Sequence, residues 1–214
     1  QGPTTHQIWL PPLDEPETLD RLLATPRRRT GDLSVPVGSL DRPREQRRET
    51  LTLELAGAGG HVAVVGAPRS GKSTLLRTII ASLSLTTTPR ESQFFVLDFG
   101  GGALTAFAAL PHVAGVGTRA DPDVVRRIVA EVCGILNRRE AHFRTHAIDS
   151  IEGYRSRRSA GSIDDGYGDV FLVVDGWGTL RADFDDLETE IQHLATRGLT
   201  YGVHVVAGTV RWAD

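Results

Sequence analysis

The chain of 214 residues has no methionine, one cysteine and one lysine. Cys133 stands alone, which excludes an internal disulfide framework and suits a reducing compartment. Methionine is missing even at position 1, so the chain is expected to be a piece of a longer protein. No run approaches the roughly 18 apolar residues that cross a bilayer, and no charged-then-apolar leader opens the chain. Neither a membrane span nor an export signal is therefore expected. Positive charge is not in excess: 24 basic residues face 27 acidic ones. That balance argues against a broad electrostatic surface for nucleic acid, while leaving room for a local patch. Paired-cysteine metal spacings and a G-x-S-x-G elbow are also missing.

What is present fits one large domain, or one domain with a short extension. Apolar residues make up 40% and charged residues 24%, enough apolar surface for a core and too much for wholesale disorder. Residues 1–32 are rich in proline and arginine, with Pro11, Pro12, Pro16 and the run Arg27-Arg28-Arg29. They read as a linker or docking arm with Ile8, Trp9 and Leu10 as apolar points. Residues 33–214 read as the folded module. Leu33–Val37 and Leu51–Leu55 alternate as strands do, and the charged stretch Asp41–Glu49 between them is expected to be a loop.

From residue 60 onward, strands alternate with helices. His61–Val65 predicts a strand and Lys72–Leu83 a helix. Phe94–Leu97 predicts a second strand, followed by Gly100-Gly101-Gly102, a short helix and a weaker strand at Val113–Val116. A long amphipathic helix is expected from Asp121–Pro122, with Val125, Ile128, Val129, Val132, Ile135 and Leu136 on one face. Its arginine pairs, Arg126–Arg127 and Arg138–Arg139, are expected to be solvated. A short helix and loop should fill Asp149–Gly168. Val170–Val174, a helical stripe through Phe184, Leu187, Ile191 and Leu194, and a strand at Val203–Ala207 complete the pattern. Such alternation predicts an α/β fold with a mainly parallel central sheet flanked by helices.

Of the 24 basic residues, only Lys72 is lysine, and it lies in Gly66-Ala67-Pro68-Arg69-Ser70-Gly71-Lys72-Ser73. This octapeptide fits G-x-x-x-x-G-K-[ST] at every fixed position, with a strand before it and a helix after it. Glycines let backbone N–H groups converge on phosphate oxygens, and the following helix points its positive end at them. Lys72 can reach the β- and γ-phosphates, and the Ser73 hydroxyl can ligate Mg²⁺. The expected ligand is ATP·Mg²⁺ on Gly66 to Thr74. Asp175, closing Phe171-Leu172-Val173-Val174, is the preferred acidic partner for Mg²⁺ through its water shell. Asp98, closing Phe94–Leu97, is the alternative. Many hydrolysing relatives of this motif carry a glutamate next; here Gly176 and Trp177 follow and neither accepts a proton. Glu188 and Glu190 lie on a later helix with nothing to aim them. The site is therefore expected to bind better than it hydrolyses, and no catalytic residue is assigned. His142 and His146 have the spacing of half a metal site, but a solvated helix face is the simpler reading. Gly100–Gly102 reads as a permissive turn near the strand ends.

With these motifs in place, Val35 to Arg211 resembles an ATPase module of the FtsK/SpoIIIE superfamily. More closely it is similar to the middle of three tandem modules in EccC-type motors of type VII secretion. The resemblance rests on Trp9-Leu10-Pro11-Pro12-Leu13, Gly57 to the P-loop, and Leu97-Asp98-Phe99-Gly100-Gly101-Gly102. It continues through Leu110-Pro111-His112-Val113, Tyr167 to Trp177, Tyr201 to Val206 and Arg211-Trp212. It implies a RecA-like P-loop fold, a C-terminally incomplete module, and a cytoplasmic place in a hexameric, membrane-anchored secretion complex. Implied partners are adjacent ATPase modules of the same parent chain, channel components and small helical proteins secreted in pairs. In DNA-translocating relatives, arginine would follow Gly198 and glutamine would follow Thr209; Leu199 and Val210 stand here. Those departures argue against a DNA translocase, the alternative function.

Overall fold

The computed structural model describes residues 10–24, 32–57 and 59–213. Ile8, Trp9 and the arginine run at 27–29 lie outside the described residues. The described part of the arm carries a short helix, α1 (Leu19–Leu23), which buries Leu22 and packs against β1 and α2.

β1 (Ser34–Arg42) and β2 (Arg47–Glu54) pair antiparallel as a hairpin. The charged stretch expected to be a loop is instead the hairpin's outer half, turned by a single 3₁₀ turn at Pro43–Glu45. Charge does not break the strands here because it is arranged across them. Arg42 pairs with Glu49 at 2.5 Å and Arg47 with Glu45 at 2.6 Å, all at least partly exposed.

The main sheet is fully parallel, with strand order β3-β7-β6-β4-β5. Its strands are β3 (Val62–Val65), β4 (Ser92–Asp98), β5 (Val113–Thr118), β6 (Asp169–Asp175) and β7 (Val203–Thr209). Both faces are covered, so the inner strands read as continuous apolar runs, and each successive side chain enters the opposite core. Val170, Leu172 and Val174 pack with α3 (Pro122–Thr145) and α6 (Asp185–Arg197). Phe171 and Val173 pack with α2 (Lys72–Thr86) and with Leu33, Val35 and Leu55 of the hairpin region. Helix α2 presents Leu76, Ile79, Ile80 and Leu83 at helical spacing. Helix α3 starts at Asp121 with Pro122 in its first turn and buries all six apolar residues expected of it. A short helix, α4 (Ile151–Ser159), is capped by Ser150, whose side chain accepts from the Gly153 amide at 3.0 Å. Helix α5 (Trp177–Asp183) follows β6 directly. The short helix expected after the glycine triplet is a 3₁₀ turn, Thr105–Ala109. Among the described residues, no helix is long and apolar enough to cross a membrane.

Arg139 overturns the expectation of a solvated arginine pair: it is fully buried, while Arg138 stays exposed. The reason is a complete set of acceptors. Its guanidinium donates to Asp165 (2.8 Å), to Tyr201 O (2.9 Å) and to Tyr167 O (2.9 Å), and it lies over the Tyr154 ring. A second buried cluster starts β6. Asp169 accepts from Arg155 at 2.7 and 3.0 Å, and His204 bridges Asp169 and Gly60 O at 3.0 and 2.9 Å. Burial alone would raise the Asp169 pKa, but the bonds to His204 and Arg155 outweigh it and hold the carboxyl well below the usual range.

Both clusters lie where β6 begins, at the opposite end of that strand from Asp175. Asp169→Ala is expected to cost about 3–5 kcal/mol, because Arg155 and His204 lose a buried partner. A depressed carboxyl contributes stability above its unfolded pKa and loses it on acidification, so the gap between wild type and variant should narrow below about pH 4. Urea unfolding of both proteins at pH 7 and pH 3.5 measures this; a pH-independent gap would contradict it.

Candidate functional site

All five strands of the main sheet point the same way, so β3, β4, β6 and β7 end on one edge. β3 runs into Gly66, whose amide donates to Thr209 O at the end of β7 (3.1 Å). A Cβ on Gly66 would lie 2.5 Å from Ser70 Oγ and 3.3 Å from Ser70 Cβ, so any larger residue there would have to displace the serine. Ser70 N donates to Ala67 O, and the loop then passes through two left-handed residues, Arg69 (φ 62°) and Gly71 (φ 93°). Gly71 is the N-cap of α2, so the helix begins at Lys72 with its free amides and positive end at the loop. Lys72 Nζ folds back to donate to Gly66 O (2.8 Å) and Ala67 O (2.9 Å). Gly66, Ala67, Pro68, Arg69, Ser70, Gly71, Lys72, Ser73 and Thr74 therefore form one cationic turn at the sheet edge.

Asp98 and Asp175 are register partners at the ends of β4 and β6. Their surroundings separate them. The Asp98 carboxylate accepts from Gly102 N (3.1 Å), Leu104 N (2.7 Å), Thr105 N (3.1 Å) and Thr105 Oγ1 (3.3 Å). It is committed to holding the glycine turn. Asp175 instead has the Ser73 hydroxyl as a neighbour that favours its charged form, while its Oδ2 is buried without a hydrogen-bond partner. Burial raises the Asp175 pKa, and the neighbouring Asp98 adds to the rise; the Ser73 bond and Lys72 oppose it. A buried carboxylate beside a serine and a lysine, with an oxygen to spare, suits a divalent cation.

Gly176 has φ 98°, its amide donates to Gly208 O, and a Cβ there would lie 3.2 Å from Phe99 Cβ and 3.3 Å from Phe99 C. The left-handed backbone strains any side chain at this position, and Phe99 crowds it. Glu188 is engaged with Arg181 and Gln192, and the nearest partner of Glu190 is Cys133. The His146 ring turns back to the His142 carbonyl at 2.9 Å. Gly101 and Gly102 both have positive φ, as a permissive turn requires. The contributions of Gly208, Thr209 and Phe99 go beyond the motif; a glycine closing an apolar strand, as in Val205–Thr209, was their one visible signal.

Because its pKa is raised on folding, Asp175 binds more protons folded than unfolded between those two pKa values. Stability therefore falls as pH rises through that window, which starts near the ordinary carboxylate value of about 4. Asp175→Asn should melt higher than wild type at pH 7 without metal, by roughly 2–4 °C, the shift of about 1 kcal/mol at this size. The difference should shrink towards pH 4. Equal melting temperatures across that range would refute the argument.

The FtsK/SpoIIIE family profile matches residues 21–214. The ESX secretion system protein EccC of Thermomonospora curvata is 51% identical over the whole chain, and EccC4 of the Mycobacterium tuberculosis ESX-4 system is 50% identical. The chain spans only 17% of each of those relatives. The solved cytoplasmic domain of the T. curvata EccC superimposes with a TM-score of 0.94, covering 100% of this chain and 26% of that one. A second T. curvata structure, EccC ATPases 2 and 3 in complex with a signal sequence peptide, matches with a TM-score of 0.91 over 96% of this chain and 39% of that one. The family match spans the phosphate loop, both carboxylates and position 176 of this chain, and the chain belongs to the FtsK/SpoIIIE family.

Proposed function

We propose that the chain is an ATP-binding module of a type VII protein-secretion motor, holding ATP with Mg²⁺ and hydrolysing it slowly. One observation carries the reading: a lysine-closed phosphate loop sets its serine beside a buried carboxylate that keeps one oxygen unpartnered. The loop amides and the start of α2 would bind and orient the phosphates, and Lys72 would leave two carbonyls for the β- and γ-phosphates. Ser73 and Asp175 would hold Mg²⁺, which when bound neutralises charge between those phosphates. Fast hydrolysis also needs a group that orients water, and the chain places none at 176.

The place in a motor is supported by the relatives, which are secretion-system proteins. By extension from the T. curvata modules that bind a signal sequence peptide, the cargo is protein. Expected partners are adjacent ATPase modules of the same parent chain, small secreted helical pairs and channel components, in a hexameric assembly on the cytoplasmic side. The balance of 24 basic and 27 acidic residues gives no support to a DNA track.

Lys72→Ala should weaken ATP·Mg²⁺ binding by about 10- to 150-fold in calorimetry, the loss of a charge-assisted contact worth about 1.5–3 kcal/mol. Unchanged affinity would remove the assignment. Turnover by the chain alone should stay below about 1 s⁻¹, the lower end for phosphoryl-transfer enzymes. Gly176→Glu should not rescue it, because the left-handed backbone strains the new side chain and Phe99 crowds it. A rate that rises on adding the neighbouring module would instead favour completion of the site in trans.

A further inference from the structure

The turn between β4 and the 3₁₀ helix does more than bend the chain. It is anchored at one end by the four bonds to Asp98 and at the other by Phe99, whose amide donates to Asp175 O at 2.9 Å. The Phe99 ring also stacks on Phe184, with centroids 5.5 Å apart. Between these anchors lies Gly100. A Cβ built there would fall 2.5 Å from Cγ and 2.9 Å from Oδ1 of Asp175, and nearer still to Oδ2. Unlike Gly101 (φ 109°) and Gly102 (φ 86°), which face open space, Gly100 is not in the left-handed region. Its glycine is therefore a requirement of space, and the atoms nearest to the missing Cβ are those of the Asp175 carboxylate.

Gly208 walls the other side: a Cβ there would lie 3.3 Å from Asp175 Oδ1. The carboxylate is thus crowded by two bare backbone segments, at Gly100 and Gly208. We infer that the Phe99–Gly102 turn, fixed by Asp98, is a positioning element for Asp175, and that Gly100 and Asp98 set the Mg²⁺ dependence of nucleotide binding without touching nucleotide. This inference rests on the ATP·Mg²⁺ reading of the site. Partners that orient a metal-binding group typically change metal affinity by about 10- to 100-fold when lost.

The test is the ratio of ATP affinity in Mg²⁺ to that in EDTA, measured by calorimetry on the 214-residue chain. In Gly100→Ala the ratio should fall at least about tenfold, while affinity in EDTA, which reads the phosphate loop, stays at the wild-type value. Gly101→Ala strains the same turn without reaching Asp175 and should keep the wild-type ratio. Asp98→Asn, which preserves shape but weakens the anchor, should lower the ratio in the same direction and decides the matter if Gly100→Ala does not fold. A wild-type ratio in Gly100→Ala or, failing that variant, in Asp98→Asn would overturn the positioning role. So would an equal loss in Gly101→Ala, or a parallel loss in EDTA. Wild-type chain that binds ATP equally well in Mg²⁺ and EDTA would instead refute the underlying site reading.

Discussion

With β7 inserted between β3 and β6, two loops that never pair directly are tied to the same strand end. Thr209 O receives the Gly66 amide at the start of the phosphate loop, and Gly208 O receives the Gly176 amide just after Asp175. Parallel pairing of β4 with β6 then fixes Asp98 beside Asp175. The backbone positions that carry lysine, serine and carboxylate follow from these pairings, and the Phe99–Gly102 turn then crowds the Asp175 carboxylate itself. Rigid strands therefore carry the backbone geometry, and the loops supply the phosphate-binding groups and the packing against the carboxylate.

The two ends of the sheet divide the work of the buried charges. Where β6 starts, Arg139, Arg155, Asp165, Asp169 and His204 are closed into networks in which each charge has partners. Those charges can be buried deeply because each is matched within its network. Where β6 finishes, Asp98 is saturated by the turn it holds, and Asp175 keeps an unpartnered oxygen. An uncompensated polar atom of this kind costs folding energy unless a ligand completes it, as expected of a site shaped for binding.

Much of the architecture was legible because both faces of the sheet are covered: buried parallel strands read as short apolar runs, and the helices between them carry clear stripes. The phosphate loop was legible for another reason, since its chemistry demands fixed residue types at fixed spacing. The choice between Asp98 and Asp175 was not settled by pattern, as both close an apolar strand; hydrogen-bond saturation separates them. Arg139 was misread because arginine pairs usually mark solvated faces. Yet it sits four residues before Phe143 and three or four after Leu136 and Ile135, on the buried stripe of α3. The hairpin's charged half was misread as loop because cross-strand compensation is invisible until the register is known. Crowding at position 176 depends on Phe99, far away in sequence, and no local signal announces it.

A chain that holds nucleotide but lacks a means to orient water should keep its ligand intact. The most direct measurement is to load the chain with ATP and Mg²⁺, remove free nucleotide by gel filtration, and identify what stays bound by ion-exchange chromatography. Retention of ATP over many minutes, near one nucleotide per chain, is the predicted result. Rapid appearance of ADP in the bound fraction would contradict the account.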